Sequence, residues 1–224
     1  MVKICVSGSE GKMGSRIIDL AKEGSELQVT GEFDIDGNAE ASIEPCDCLI
    51  EFTTPKATME HLALCEKLKK AIVIGTTGLS EKELDKIKEA SKNIPIVFSP
   101  NMSVGVNLLF KLVEEAAKVL GQEYEVNVLE AHHAEKKDAP SGTAKELARI
   151  IKNVKGDVEV PIDSVREGEI VGEHTITFES DVDLLEITHS AKTRDIFAKG
   201  ALKAAKFVAA KKSGLFTMKD VLAL

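Results

Sequence analysis

VKICVSGSEGKMG, residues 2–14, joins a short apolar run to a turn with glycines spaced GxxGxxG, and this junction decides how the first half of the chain folds. The run Lys3–Val6 has the length and character of a buried strand. Gly8, Gly11 and Gly14 let the backbone turn tightly and pass close to a ligand before a helix begins. Unpaired N–H groups and the helix dipole at such a start attract a pyrophosphate. The spacing departs from the standard GxGxxG, and the plain alternative is a strand-to-helix turn that binds nothing. Asp34 favours the ligand, because it stands 20 residues after Gly14 at the end of the next apolar run, where a carboxylate accepts from a ribose hydroxyl. Ser9, Glu10, Lys12 and Met13 complete the loop. Asp34 would repel a 2′-phosphate, Lys12 would attract one, and Ile35 supplies no arginine, so NADH and NADPH both remain open as the cofactor.

Outward from this loop, four more apolar runs follow at Leu27–Phe33, Cys48–Phe52, Ala71–Ile74 and Ile94–Phe98. Helical patterns separate them. Pro55 after Thr54 is a first-turn proline, and Ser80 to Glu83 has the form of a capping box. Strand and helix in alternation predict an α/β fold with a parallel, doubly wound sheet of five buried strands. Gly75-Thr76-Thr77-Gly78 and Ser99-Pro100-Asn101-Met102 fall at the carboxyl ends of the fourth and fifth strands. Ligands bind along that edge, so these loops are expected to flank the nicotinamide and its ribose; ordinary polar connections are the alternative.

The style changes after Asn101. A long apolar-striped helix is predicted from Val104 to Leu120, then a strand from Glu125 to Ala131, with a domain boundary near residue 103. From Ile170 to Ala191 the apolar residues recur with period two, Ile170, Ile176 and Phe178 on one face and Leu185 and Ile187 on the next, which predicts half-exposed antiparallel strands. Phe197–Ala210 reads as a closing helix stopped by Gly214.

Composition limits the partners. A formal charge of −8 over 224 residues, without clustered Lys and Arg, excludes a general nucleic-acid surface. The absence of Trp and a single tyrosine, Tyr124, remove the stacking platforms of single-strand binders. No apolar stretch approaches the length of a membrane span. MVKICVS at the start leaves no room for a secretory signal. Cys5, Cys46, Cys48 and Cys65 match no zinc or CxxC spacing and read as small core residues. A soluble, cytoplasmic protein is expected.

The densest chemistry lies in Glu130–Thr143, EAHHAEKKDAPSGT. On a strand, His132 and His133 point to opposite sides, so the pair cannot chelate one ion as HExxH does on a helix, and no metal site is predicted. The two His and Lys136 instead serve as proton-donating or cationic groups. Pro140-Ser141-Gly142-Thr143 opens a helix whose N–H groups can hold a carboxylate, with Thr143 and Glu146 as a possible capping box. His174 and His189 alternate with apolar residues and read as satisfied, partly buried histidines, and His61 reads as a surface residue. Arg194 could pair with an acid or reach a substrate carboxylate.

Taken together, VSGSEGKMG, IEFTTP, VIGTTGLS, FSPNMSVGVN, EAHHAEKKDAPSGTA, SVREGEIVGEHT, LEITH and SGLFTMKDVL resemble the 4-hydroxy-tetrahydrodipicolinate reductase (dihydrodipicolinate reductase) family across essentially the whole chain. The EAHH…K.DAPSGTA segment is specific to that family; the glycine loop is not. The resemblance implies an N-terminal Rossmann domain, residues 1–103, completed by residues 195–224. It implies a C-terminal α+β domain, residues 104–194, with a mixed sheet that binds substrate and builds a homotetramer. It further implies NAD(P)H-dependent reduction in lysine and diaminopimelate synthesis. By matching residues, His132 is the proton donor or acceptor and Lys136 a second proton donor, while His133, Gly142 and Thr143 contact the cyclic dicarboxylate. Gly8 to Met13, Asp34, Gly75 to Thr77 and Ser99 to Met102 contact the cofactor. The chain departs from the pattern at Lys12, Ala134 and Ile35, where arginines are common, and is shorter than many relatives between Gly14 and Asp47. A dinucleotide-sensing regulator without turnover is the competing reading, and it would need no proton donor.

Overall fold

The computed structural model describes residues 1–156 and 158–224. In chain order the elements are β1 (Val2–Ser7), α1 (Lys12–Glu23), β2 (Leu27–Phe33), α2 (Ala39–Ile43), β3 (Cys48–Glu51), α3 (Pro55–Leu68), β4 (Ala71–Ile74), α4 (Glu81–Ala90) and β5 (Pro95–Phe98). They continue with α5 (Val104–Val119), β6 (Glu125–His132), α6 (Gly142–Lys155), β7 (Ile162–Arg166), β8 (Glu173–Glu179), β9 (Leu184–Ser190), α7 (Asp195–Val208), β10 (Gly214–Phe216) and α8 (Met218–Leu222). The chain divides into two compact units, Met1–Val104 with Asp195–Leu224, and Gly105–Arg194.

The first unit is built on a six-stranded sheet in the order β10-β5-β4-β3-β1-β2, with every pairing parallel. Its central strands are buried from end to end, as a sheet covered on both faces requires. One face packs Ile4, Val6, Ile50 and Val73 against Ile17, Ala201, Ala205 and Met218 of α1, α7 and α8. The other packs Leu49, Ile72 and Ile96 against Ile43, Leu62, Cys65 and Ile87 of α2, α3 and α4. Local signals set the helix starts. The Thr54 hydroxyl accepts from Ala57 N–H ahead of Pro55, and the Glu83 carboxylate accepts from both the amide and the hydroxyl of Ser80 at 2.7 Å. All four cysteines are buried free thiols, and burial pushes the Cys46 thiol up to about 11.

The sheet has six strands, not five. Gly214 does not stop the closing helix; α7 ends at Val208, and Gly214, at φ 127°, opens β10 alongside β5. Three residues carry too little periodicity to mark a strand, and the short helices α2 and α8 escape the pattern for the same reason. His61 is not on the surface either. Its side chain is 13% exposed and its Nδ1 lies 2.5 Å from the buried carboxylate of Glu51.

The second unit is a four-stranded mixed sheet in the order β7-β6-β8-β9, in which β6 and β7 are parallel and the other pairs antiparallel. One face carries α5 and α6, with Val106, Leu109, Phe110 and Val113 of α5 and Leu147, Ile150 and Ile151 of α6 packed on Val128, Ile176 and Phe178. The period-two reading holds for β8, where His174, Ile176 and Phe178 turn inward, but Ile170 lies before the strand begins. Tyr124 precedes β6 and donates its hydroxyl to Asp183 at 2.6 Å. Among the described residues no helix is long and apolar enough to cross a membrane.

Candidate active site

In the first unit the carboxyl ends of β1, β2 and β3 surround a cavity of about 580 Å³ lined by Gly8, Gly11, Asp34, Phe52, Thr53 and His61, among others. The glycines are required by geometry. Gly8 sits at φ 63°, and a Cβ on Gly14 would lie 2.0 Å from the Gly8 carbonyl oxygen. The 12-residue α1 starts at Lys12 with Gly11 at its N-cap and no side chain capping it, which leaves the first-turn amides to a ligand. Asp34 meets the loop, accepting from Glu10 N–H at 3.1 Å and from Ile35 N–H at 2.9 Å. A pyrophosphate at the amides and a ribose at Asp34 therefore fit the residues present. Ser9 is partly buried, and Glu10 and Lys12 are exposed.

The later loops are built differently. Gly75 and Thr77 reach the surface, but Thr76 is buried with its hydroxyl bonded to Thr58 at 2.9 Å. Ser99 turns its hydroxyl onto the Asn101 carbonyl at 2.8 Å, and Met102 is a core side chain, while Pro100 is exposed. Thr76, Ser99 and Met102 thus offer a ligand their backbone more than their side chains.

The residues of the reactive segment that lie on the strand are ordered by strand register. In β6 the even positions Val126, Val128, Glu130 and His132 face inward, so Glu130 and His132 stand side by side. Across the sheet Glu130 pairs with Ser164 of β7 and His174 of β8, His132 pairs with Arg166, and His174 pairs with His189 of β9. This row of polar residues continues the apolar stripe of the core.

Glu130 is fully buried. It accepts from His132 Nδ1 at 2.5 Å, from the Arg166 guanidinium at 2.7 and 2.9 Å, and from the Ser141 amide at 3.2 Å. Burial alone would raise its carboxyl, but these donors, Arg166 foremost, hold it at about 2. Burial pushes His132 below the ordinary imidazole range against the pull of Glu130. The His132 ring meets His174 edge-on at 5.2 Å between centroids. Desolvation and the neighbouring His132 bring His174 down to about 4. His174 and His189 are less satisfied than their alternation with apolar residues suggests. His174 Nε2 lies 3.1 Å from the Ser141 hydroxyl, yet the Nδ1 atoms of both rings are buried without a partner.

After His132 the chain leaves the strand. His133 lines a shallow cavity with Ala134, Glu135, Gly168, Glu169 and Arg194. Lys136 turns back on its own loop and pairs with Asp138 at 2.7 Å. The N-cap of α6 is Ser141, whose hydroxyl accepts from Ala144 N–H at 3.2 Å. Thr143 therefore lies inside the first turn and forms no capping box, and Glu146 pairs with Arg149. Gly142 and Thr143 occupy the first two positions of a 14-residue helix, at its positive end. Among the described residues no group of three or more His, Cys, Asp or Glu is arranged to hold a metal ion.

Sequence reasoning passes over Arg166 and gives Glu130 no role of its own. Glu130 carried a signal, since it stands two positions before His132 and strand periodicity puts both on one face. Arg166 carried none, because its pairing with β6 depends on a parallel register between segments far apart in sequence.

Known proteins resemble this chain over its whole length. Models of the N-terminal and C-terminal regions of dihydrodipicolinate reductases match residues 2–102 and 105–222. The curated 4-hydroxy-tetrahydrodipicolinate reductase of Geotalea uraniireducens is 38% identical, with 100% of both chains covered. That of Nitrosomonas europaea is 40% identical, over 100% of this chain and 98% of the relative. A solved structure of dipicolinate-bound dihydrodipicolinate reductase from Paenisporosarcina sp. TG-14 has the same fold, with a TM-score of 0.87 at 24% identity over 97% of each chain. A probable dehydrogenase from Thermotoga maritima shares the architecture at a TM-score of 0.68 and 12% identity, over 98% of this chain and 92% of the other. With both halves matched and full-length relatives well above 30% identity, this chain belongs to the dihydrodipicolinate reductase family.

Proposed function

We propose that this chain reduces 4-hydroxy-tetrahydrodipicolinate to tetrahydrodipicolinate with NADH or NADPH, as a step of lysine and diaminopimelate synthesis. The observation that carries this reading is the segment Glu130–Thr143, which holds an oriented histidine, a lysine and a helix N-terminus together in one unit. Gly8 to Met13, Asp34, Gly75 to Thr77 and Ser99 to Met102 hold the dinucleotide, whose reduced nicotinamide supplies a hydride when bound. Residues 104–194 bind the substrate and form the contacts of a homotetramer.

The backbone amides of Gly142 and Thr143 at the start of α6, with His133, take the carboxylates of the cyclic substrate. Reduction leaves negative charge on the conjugated ring, and His132, protonated and backed by Glu130, delivers the proton that quenches it. Lys136 stabilises the developing charge and serves as a second proton source. Its ion pair with Asp138 must loosen for this, since an ammonium held by a carboxylate has less charge to offer. Asp34 accepts from the ribose hydroxyls of NADH, and Lys12 compensates the 2′-phosphate of NADPH, so both are used.

The decisive experiment couples a dihydrodipicolinate synthase to the purified protein and follows oxidation of NADH and NADPH separately. Oxidation of both is expected; oxidation of neither defeats the proposal. Mass measurement in solution checks the tetramer. Among compartments, the cytoplasm suits a biosynthetic reductase with four reduced, buried cysteines.

A further inference from the structure

Two ring nitrogens of His132 compete for roles, and the surroundings of Glu130 decide between them. Nδ1 lies 2.5 Å from Glu130 Oε2. Glu130 is itself clamped, because Arg166 reaches both carboxylate oxygens, at 2.9 Å to Oε2 and 2.7 Å to Oε1. Arg166 in turn donates to the Asp138 carbonyl at 2.6 Å, and the Ser141 amide donates to Glu130 Oε1 at 3.2 Å. One buried carboxylate thereby ties β6 to β7, to the loop that carries Lys136 and to the first turn of α6.

On the other side of the ring, Nε2 lies against Gly172, the residue opposite His132 at the entry to β8. A Cβ there would come within 3.1 Å of Nε2 and 3.3 Å of Cδ2. Any larger residue at 172 would press on the edge of the ring that Glu130 leaves available.

We infer that Glu130 and Arg166 are a positioning pair that fixes the His132 ring with its Nδ1–H donated to Glu130 and presents Nε2 as the proton-transferring atom. The inference rests on the reductase reading of this site. The carboxylate orients the imidazole and stabilises its protonated form, as a buried acid does for a catalytic histidine in general. Arg166 keeps that carboxylate ionised in both protonation states of His132, so the proton stays on the ring and does not pass to Glu130. The charged and titratable groups facing His132 are Glu130 on its own strand, Arg166 on β7, Lys136 on the following loop and His174 on β8. Of these only Glu130 is an anion. Losing it leaves His132 among cations and histidines.

The test uses Glu130→Gln and the charge-balanced Glu130→Gln/Arg166→Gln, the second of which keeps no lone buried guanidinium and so guards against simple misfolding. In the coupled assay both should lose about 10-fold to 100-fold in kcat with KM for the dinucleotide unchanged. The limb of the pH–rate profile on which activity falls with rising pH should move down by about one unit or more, because the protonated imidazole has lost its counter-charge. Independently of turnover, ¹⁵N spectra of labelled histidine should show His132 as the Nδ1–H tautomer in the wild type and as a mixture in both variants. An unmoved limb, or an unchanged tautomer in the variants, overturns the inference. If the wild type oxidises neither dinucleotide, the reductase reading fails, and the tautomer measurement still decides whether Glu130 orients the ring.

Discussion

Each unit buries a glutamate near the carboxyl end of a strand and sets it against a histidine Nδ1 at 2.5 Å, yet the two sites differ in what else holds the carboxylate. Glu51, the last residue of β3, is surrounded by small local donors. Ser7 Oγ donates to it at 2.7 Å, Thr53 N–H at 2.8 Å, and the Thr53 hydroxyl closes the set with His61. Glu130 has a guanidinium in the equivalent place. Burial works against both ionised forms, and hydrogen bonds, from His61 foremost at one site and Arg166 at the other, bring both carboxyls below the ordinary range. The contrast teaches how one residue type serves two ends. Hydroxyls and an amide from β1 and the β3–α3 turn make Glu51 a brace for the loops around the cavity that Gly8, Asp34 and His61 line. An arginine makes Glu130 a fixed charge beside the His132 ring.

The largest effect expected from breaking this contrast is on rate. His132→Gln should cost about 10²-fold to 10⁴-fold in turnover with dinucleotide affinity little changed. The corresponding His61→Gln should leave the chemical step intact. Steady-state kinetics on the two variants check this, and equal losses would erase the distinction.

Stability comes next. Glu130→Gln removes the counter-ion of the part-buried Arg166 guanidinium and should cost about 2–3 kcal/mol. Glu51→Gln strands no guanidinium, only hydroxyl, amide and imidazole donors, and should cost about 1–2 kcal/mol. Chemical denaturation followed by circular dichroism ranks the pair, and the reverse order would refute the role given to Arg166.

Acid sharpens the contrast further. His174 is held neutral in the folded second unit at about 4, below the 6.5 of a free imidazole, chiefly by burial. Above 6.5 neither state of the chain binds the proton; between 6.5 and 4 only the unfolded state does. Stability contributed by this residue is therefore complete above 6.5 and falls with pH through that window, by on the order of 3 kcal/mol. His132 and His189 shift in the same direction. The denaturation midpoint should drop across this range in the wild type, and His174→Asn should flatten the slope. The smallest effect belongs to the brace itself. Ser7→Ala removes one of four donors to Glu51 and should cost about 1 kcal/mol, read from the same denaturation curves.

Much of this was legible before the structure, and the exceptions have physical causes. Apolar runs such as Ala71–Ile74 carry their burial in their composition, and the three-glycine turn carries its backbone demands in residue type, so the parallel sheet and the tight turn after its first strand could be read directly. Short elements could not. Gly214–Phe216 becomes a strand only because β5 offers it an edge, and Ile162–Arg166 only because β6 does. At the site, His132, His133 and Lys136 were visible as an unusual density of titratable groups. Strand parity alone put Glu130 beside His132, whereas the Arg166 contact needed a parallel pairing that local sequence does not encode. His61 was misread because its helix position is set against a buried acid ten residues earlier, a contact no helical period announces.

The distribution of the cysteines and the tyrosine has a practical consequence. All four thiols are buried in the first unit, and Tyr124, the chain's sole tyrosine in the absence of any tryptophan, belongs to the second. The wild-type protein thus carries one native reporter in each half, thiol labelling for the opening of the first and tyrosine fluorescence for the second. The order in which the halves come apart can be timed without introducing a single probe.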